Sequence, residues 1–187
     1  MFIQTETTPN PATLKFLPGR AVMEEGTVDF PDKDSGRISP LASRLFAITE
    51  VERVFFGADF VTVTKREGDS DWRHLKPAIL GAIMEHFTKG LPLFDAAVTP
   101  EAERIYEGEE GEIVSQIKEL LETRVRPAVA ADGGDIIFKG FDGGSGTVFL
   151  QLQGSCSGCP SSSHTLKNGI ENMLRHYIPE VSAVEAV

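Results

Sequence analysis

Gly154–Leu174 reads GSCSGCPSSSHTLKNGIENML, and it holds both cysteines of the chain, Cys156 and Cys159. Immediately before it, TVFLQLQ (147–153) alternates apolar with polar residues, as a half-buried strand does. Behind the cysteines, Leu166, Ile170, Met173, Leu174 and Tyr177 recur at helical spacing and are expected to form a buried face. The local structure expected is a strand, a Gly/Ser-rich loop carrying two thiols, and a helix. Pro160 suits the first helical turn, where its missing N–H costs no hydrogen bond, and Pro179 stops the helix. Gly154 and Gly158 remove side-chain bulk, so the loop backbone can approach a sulfur or a partner chain closely.

Outward from this stretch, IIFKGF (136–141) pairs with the first strand through the hairpin loop DGGSG (142–146), and VSAVEAV (181–187) reads as a closing strand. ADGGD (131–135) is a turn in which Asp132 and Asp135 are expected to be turn-forming residues beside Gly133 and Gly134. Upstream, Ile113, Ile117, Leu120 and Leu121 form an apolar stripe. Glutamates crowd that helix's first turn and Arg124 and Arg126 lie near its last, which suits its dipole, and Pro127 ends or kinks it.

The N-terminal block has the same mixed character. FIQTE (2–6) and ATLKFL (12–17) alternate as strands around a turn at Pro9, Asn10 and Pro11. Ser39 and Pro40 signal a helix start, followed by Leu41, Leu45 and Ile48 on one face. RVFFGADFVTVTK (53–65) reads as a hairpin turning near Gly57–Asp59. A second helix runs through WRHLKPAILGAIMEHF (72–87), with Leu75, Ile79, Ile83 and Phe87 at helical spacing and its first turn left open by Pro77. From Lys89 to Glu110 the pattern dissolves into Gly, Pro and Glu. The chain is therefore expected to be α/β (α+β), two small mixed domains at 1–88 and 111–187 joined by an acidic linker at 89–110.

A length of 187 residues, 41% hydrophobic and 25% charged, is ordinary for a globular protein. A net charge of −10, with no local Lys/Arg cluster to offset it, argues against nucleic-acid binding. No apolar run approaches the ~20 residues of a membrane span. Two closely spaced cysteines cannot staple a secreted scaffold, so a reducing compartment is expected. The N-terminus shows neither a signal peptide nor an Arg-rich leader, which points to a bacterial cytoplasm, with a trimmed form in the mitochondrial matrix as the alternative.

Two thiolates at C-x-x-C spacing, at the positive end of a helix, suit one metal or one edge of a cluster. A tetrahedral metal or an iron–sulfur cluster takes about four such ligands. The four histidines do not supply the rest: His74 and His86 belong to the other block, and His164 and His176 fall on different faces of one helix. Each is read as a surface or cap residue. A thiol–disulfide oxidoreductase using the same pair is the alternative, although the short stretch after Cys159 leaves little room for a thioredoxin-type fold. Two buried, inert cysteines would not explain a Gly/Ser-rich loop at a helix start. Sharing between two identical chains gives four thiolates about a two-fold axis. Ser155 and Ser157 are candidates to hydrogen-bond sulfur. No partner for acid–base chemistry accompanies Asp132 and Asp135, so the chain is not read as an enzyme.

RPAVAADGGDI (126–136), LQGSCSGCPSSSHTLKNGIE (152–171) and the opening MFIQTETTPNPATLKFLPG (1–19) resemble signature stretches of the NifU-like (Nfu) iron–sulfur cluster scaffold and carrier proteins. The resemblance covers nearly the whole chain. It implies that Cys156 and Cys159 bind a cluster, typically [4Fe–4S] bridging a homodimer, with [2Fe–2S] also compatible. It further implies exchange with cluster-assembly factors and transfer to apo-protein clients.

Overall fold

The computed structural model describes residues 1–68, 71–95, 105–157 and 160–187. It divides into two compact units, Met1–Thr99 and Pro100–Val187, each of mixed α/β structure.

The first unit is a five-stranded antiparallel sheet with two helices. Its strands are β1 (Gln4–Thr7), β2 (Thr13–Leu17), β3 (Val28–Phe30), β4 (Val51–Phe56) and β5 (Val61–Lys65), in the order β1-β2-β5-β4-β3. Alternation sends Leu14, Phe16, Val54, Phe56, Val61 and Val63 to one face. There they pack with Leu41 and Leu45 of α1 (Pro40–Phe46) and Leu75, Ile79 and Ile83 of α2 (Trp72–Thr88). The helix start expected at Ser39 is present: its hydroxyl accepts from the Ala42 N–H at 3.2 Å. Asp71 caps α2 in the same way through the Arg73 N–H, and α2 continues through Pro77. The strand β3 was not expected. At three residues it is too short to show alternation, and it is held by register with β4 and by the edge of Phe30 against Phe56, 5.0 Å between ring centres.

The second unit pairs β6 (Gly134–Asp142) with β7 (Thr147–Gly154) as an antiparallel hairpin. The chain then crosses through α5 (Pro160–Tyr177) to β8 (Ala183–Ala186), which lies parallel to β7. A parallel neighbour requires such a crossover, so α5 is anchored at both ends by the sheet. Ahead of the hairpin, α3 (Gly108–Leu120) opens inside the stretch read as linker. It runs into a π-turn (Leu121–Val125) and then α4 (Arg126–Ala131). The core joins Val114, Ile117, Leu121, Val125 and Val129 to Ile136, Phe141, Val148 and Leu150 of the sheet and to Ile170 and Leu174 of α5. Each fully buried aliphatic side chain here stabilises the unit by about 1.5–3 kcal/mol.

Three expected core positions shift. Tyr177 is 47% exposed, under the Arg124 guanidinium at 5.0 Å, and Ile178 at 1% fills the core place. The buried row is Ile170, Leu174, Ile178, a strict four-residue ridge that leaves position 177 to one side. In α3 and the π-turn the buried row is Val114, Ile117 and Leu121, which leaves Ile113 and Leu120 at the margin. Among the described residues no helix is long and apolar enough to cross a membrane.

Candidate metal centre

The cysteine loop begins where β7 ends. Gly154 has φ 65° and Gly133 has φ 80°, a left-handed backbone that other side chains rarely adopt, and these two glycines turn the chain at adjacent points. Gly134 and Gly154 form the end pair of the β6–β7 ladder. The Ser155 N–H donates to the Gly133 carbonyl at 3.2 Å, and the buried Ser155 hydroxyl donates to the Asp132 carbonyl. Two segments distant in sequence, ADGGD and GSC, are thereby stitched together.

Cys156 sits on this stitching, half-buried at the margin of the core. A Cβ on Gly134 would lie 2.8 Å from the Cys156 sulfur and 2.8 Å from the Gln153 carbonyl oxygen, so only glycine leaves room for the thiol there. The loop backbone is tied further by Ser157 N–H to Gly154 carbonyl, 3.1 Å, and by the Ser163 hydroxyl of α5 to the Cys156 carbonyl, 2.9 Å. α5 opens at Pro160, so the positive end of its dipole faces the loop. Cys159 lies outside the described residues.

Family models match both units: Scaffold protein Nfu/NifU N terminal over residues 3–90 and NifU-like domain over residues 117–185. The chain is 56% identical over 187 residues to the NFU1 iron-sulfur cluster scaffold homolog, mitochondrial, of Homo sapiens, covering 100% of this chain and 72% of that protein. The chain belongs to the Nfu family of NifU-like proteins. It is also 55% identical over 186 residues to NifU-like protein 4, mitochondrial, of Arabidopsis thaliana, covering 99% of this chain and 65% of that one. An Nfu chain of this extent thus spans about two thirds of the length of these relatives. The solution structure of a NifU-like protein from Saccharomyces cerevisiae is similar over 52% of this chain and 87% of its own, with 26% identity and a TM-score of 0.46.

The other residues singled out in this Nfu chain do not gather at Cys156. His74 is exposed on α2. His164 is exposed and meets Asn168 at 3.2 Å, and His176 lies edge-on to Tyr177. His86, expected at the surface, is 1% exposed, because three residues beyond Ile83 it falls on the core-facing side of α2. Among the described residues no three His, Cys, Asp or Glu side chains are close enough to hold a metal ion. The donor at hand is the soft sulfur of Cys156, without a ligand set completed from the described residues.

Of the two aspartates expected as turn residues, Asp132 keeps that part and Asp135 does not. The Ser155 hydroxyl donates to the Asp132 carbonyl. Asp132 is exposed at the end of α4, as a turn residue. Asp135 is 3% exposed and grips Arg126, Nε to Oδ1 at 2.9 Å and Nη2 to Oδ2 at 2.9 Å, while Oδ1 also accepts from the Ile136 N–H at 2.8 Å. Asp135 above all, and Glu122 beside it, hold Arg126 protonated well beyond its ordinary range, against the opposing effect of burial. The available signal was a carboxylate directly ahead of the apolar run Ile136–Phe138, which has to find a cation once buried.

Proposed function

We propose that this chain is an iron–sulfur cluster scaffold and carrier in which Cys156 and Cys159 bind one [4Fe–4S] cluster together with the same two residues of a second copy. The observation that carries this reading is the Cys156 sulfur seated against Gly134 beside the α5 terminus, in a chain whose described residues hold no group of three His, Cys, Asp or Glu side chains fit for a metal ion. Four thiolates make the cluster anionic, and helix termini with loop N–H groups stabilise an anion. Splitting ligands between chains ties retention to association, so thiolate exchange with an apo-protein client, or separation of the protomers, frees the cargo. The cluster is cargo, and the chain performs no catalytic step.

Residues 111–187 hold the cluster in this reading, 1–88 recruit clients and assembly factors, and 89–110 link the two. The mitochondrial names of both relatives support the organellar placement over the cytoplasmic one.

Anaerobic reconstitution with ferrous iron and sulfide is expected to give a brown protein with about two irons per chain that sediments as a dimer. Cys156→Ser and Cys159→Ser should each abolish iron uptake. A colourless product that cycles a disulfide between the two cysteines, or a loaded monomer, would overturn the proposal.

A further inference from the structure

The Arg126–Asp135 pair has no part in ligand supply, yet it adjoins the cysteine loop. Arg126 is delivered by the π-turn, whose Leu121 carbonyl accepts the Arg126 N–H five residues on. The guanidinium then meets Asp135 with two prongs at 2.9 Å each, on a carboxylate whose side chain is 4% exposed. Glu122 meets the third nitrogen from the solvent side at 2.7 Å. Asp135 is the cross-strand partner of Gln153, and the next pair along the ladder is Gly134 with Gly154. Gly134 is the residue on which the Cys156 sulfur rests, and Gly133 accepts from Ser155. From Arg126 to Cys156 the connection is continuous and short.

Burying the Asp135 carboxylate costs desolvation that offsets much of its attraction to the half-buried Arg126 guanidinium, so the pair is a poor route to stability alone. Its placement under the turn that carries the thiol suggests another use. We infer that Arg126 and Asp135 are positioning residues. Their two-pronged contact fixes the Gly133–Gly134 turn and so presets the Cys156 sulfur, which sets how long a bound cluster is retained. The inference rests on the carrier reading above. It is the logic of groups behind a metal ligand, whose loss leaves the ligand present but loosely aimed.

The test uses the full chain, reconstituted with ferrous iron and sulfide, and follows loss of visible absorbance after adding a ferrous chelator. Arg126→Lys keeps the charge but not the two-pronged grip, and Asp135→Asn keeps the shape but not the charge. Both are expected to take up iron and to lose the cluster about tenfold faster than the unaltered chain. Glu122→Gln, which removes only the outer partner, should release within about twofold of it. Val148→Ala, which hollows the same core toward the opposite end of the β6–β7 ladder from Gly134 and Gly154, serves as the stability control, expected to lower the melting temperature while leaving release unchanged. If Arg126→Lys does not melt cooperatively, Asp135→Glu takes its place.

Release at the unaltered rate in Arg126→Lys and Asp135→Asn overturns the positioning role, and so does release in Val148→Ala as fast as in those two variants. Failure of the unaltered chain to take up iron is seen before any variant is compared, and it overturns the carrier reading itself.

Discussion

A single side chain in the first unit reports on proton binding. His86 is buried on α2 with Nδ1 making no hydrogen bond, edge-on to Phe87 at 5.2 Å between ring centres. Burial lowers its pKa first, and the Arg44 cation, itself paired with Glu85, lowers it further. Below the ordinary histidine value of 6.5 the unfolded chain therefore binds a proton that the folded chain refuses. The contribution is fully present above that pH and is lost as pH falls from it toward the lower folded value, at a rate of at most about 1.4 kcal/mol per pH unit. Urea unfolding at pH 7.5 and 5.5 should show the acid sample less stable, and His86→Phe should remove most of the difference. An equal acid loss in that variant would place the titrating group elsewhere. This histidine was within reach of the sequence, since it shares a stripe with Leu75, Ile79 and Ile83. Asp135 was harder to read, because its partner lies nine residues upstream across a turn whose geometry has no sequence period.

At the scale of elements, the two prolines placed among helical residues act differently. Pro77 stands inside α2, where its ring crowds the Arg73 carbonyl and removes that carbonyl's hydrogen bond. Pro127 stands in the first turn of α4, directly after the π-turn. There the wider turn relieves the ring, which a regular α-helical turn would crowd against the carbonyl four residues back. Pro77→Ala is therefore expected to stabilise by about 1–3 kcal/mol, and Pro127→Ala to change stability by less than about 1 kcal/mol. Denaturant midpoints of the two variants decide it, and a Pro127 gain as large as that of Pro77 would contradict this account of the π-turn. Periodicity made the long elements legible: the two central hairpins, α2, α5 and the closing strand all carry alternation or a stripe. What it missed was set by tertiary contact. β3 exists because β4 offers it a register, and the choice of Ile178 over Tyr177 depends on how α5 crosses the sheet. The strand–loop–helix context of the cysteines was legible for the same reason as the long elements. The glycine cradle beneath Cys156 was not, because it joins residues 134 and 156 through a hairpin register that the sequence does not print.

At the scale of the whole molecule, each unit carries its own apolar core, one built from residues between Leu14 and Ile83 and the other from residues between Val114 and Val184. The second unit also draws on Tyr106, whose ring meets Phe138 edge-on at 6.1 Å and whose hydroxyl accepts the Phe141 N–H at 3.0 Å, at the bulge in β6. A fragment of residues 105–187 therefore retains every contact described around the cysteine loop, and at this size one such core suffices for folding. It is expected to unfold cooperatively and to take up iron to the same ratio per chain as the full protein. Starting instead at residue 111 removes Tyr106 and strands a backbone N–H, which should cost about 1–2 kcal/mol. If the first unit recruits clients, the 105–187 fragment should load normally yet transfer its cluster to an apo-acceptor more slowly than the full chain. Iron analysis and the rate of acceptor reconstitution separate these outcomes. Loss of iron uptake in that fragment would mean that cluster binding needs the first unit, and equal transfer rates would mean that the first unit serves something other than delivery.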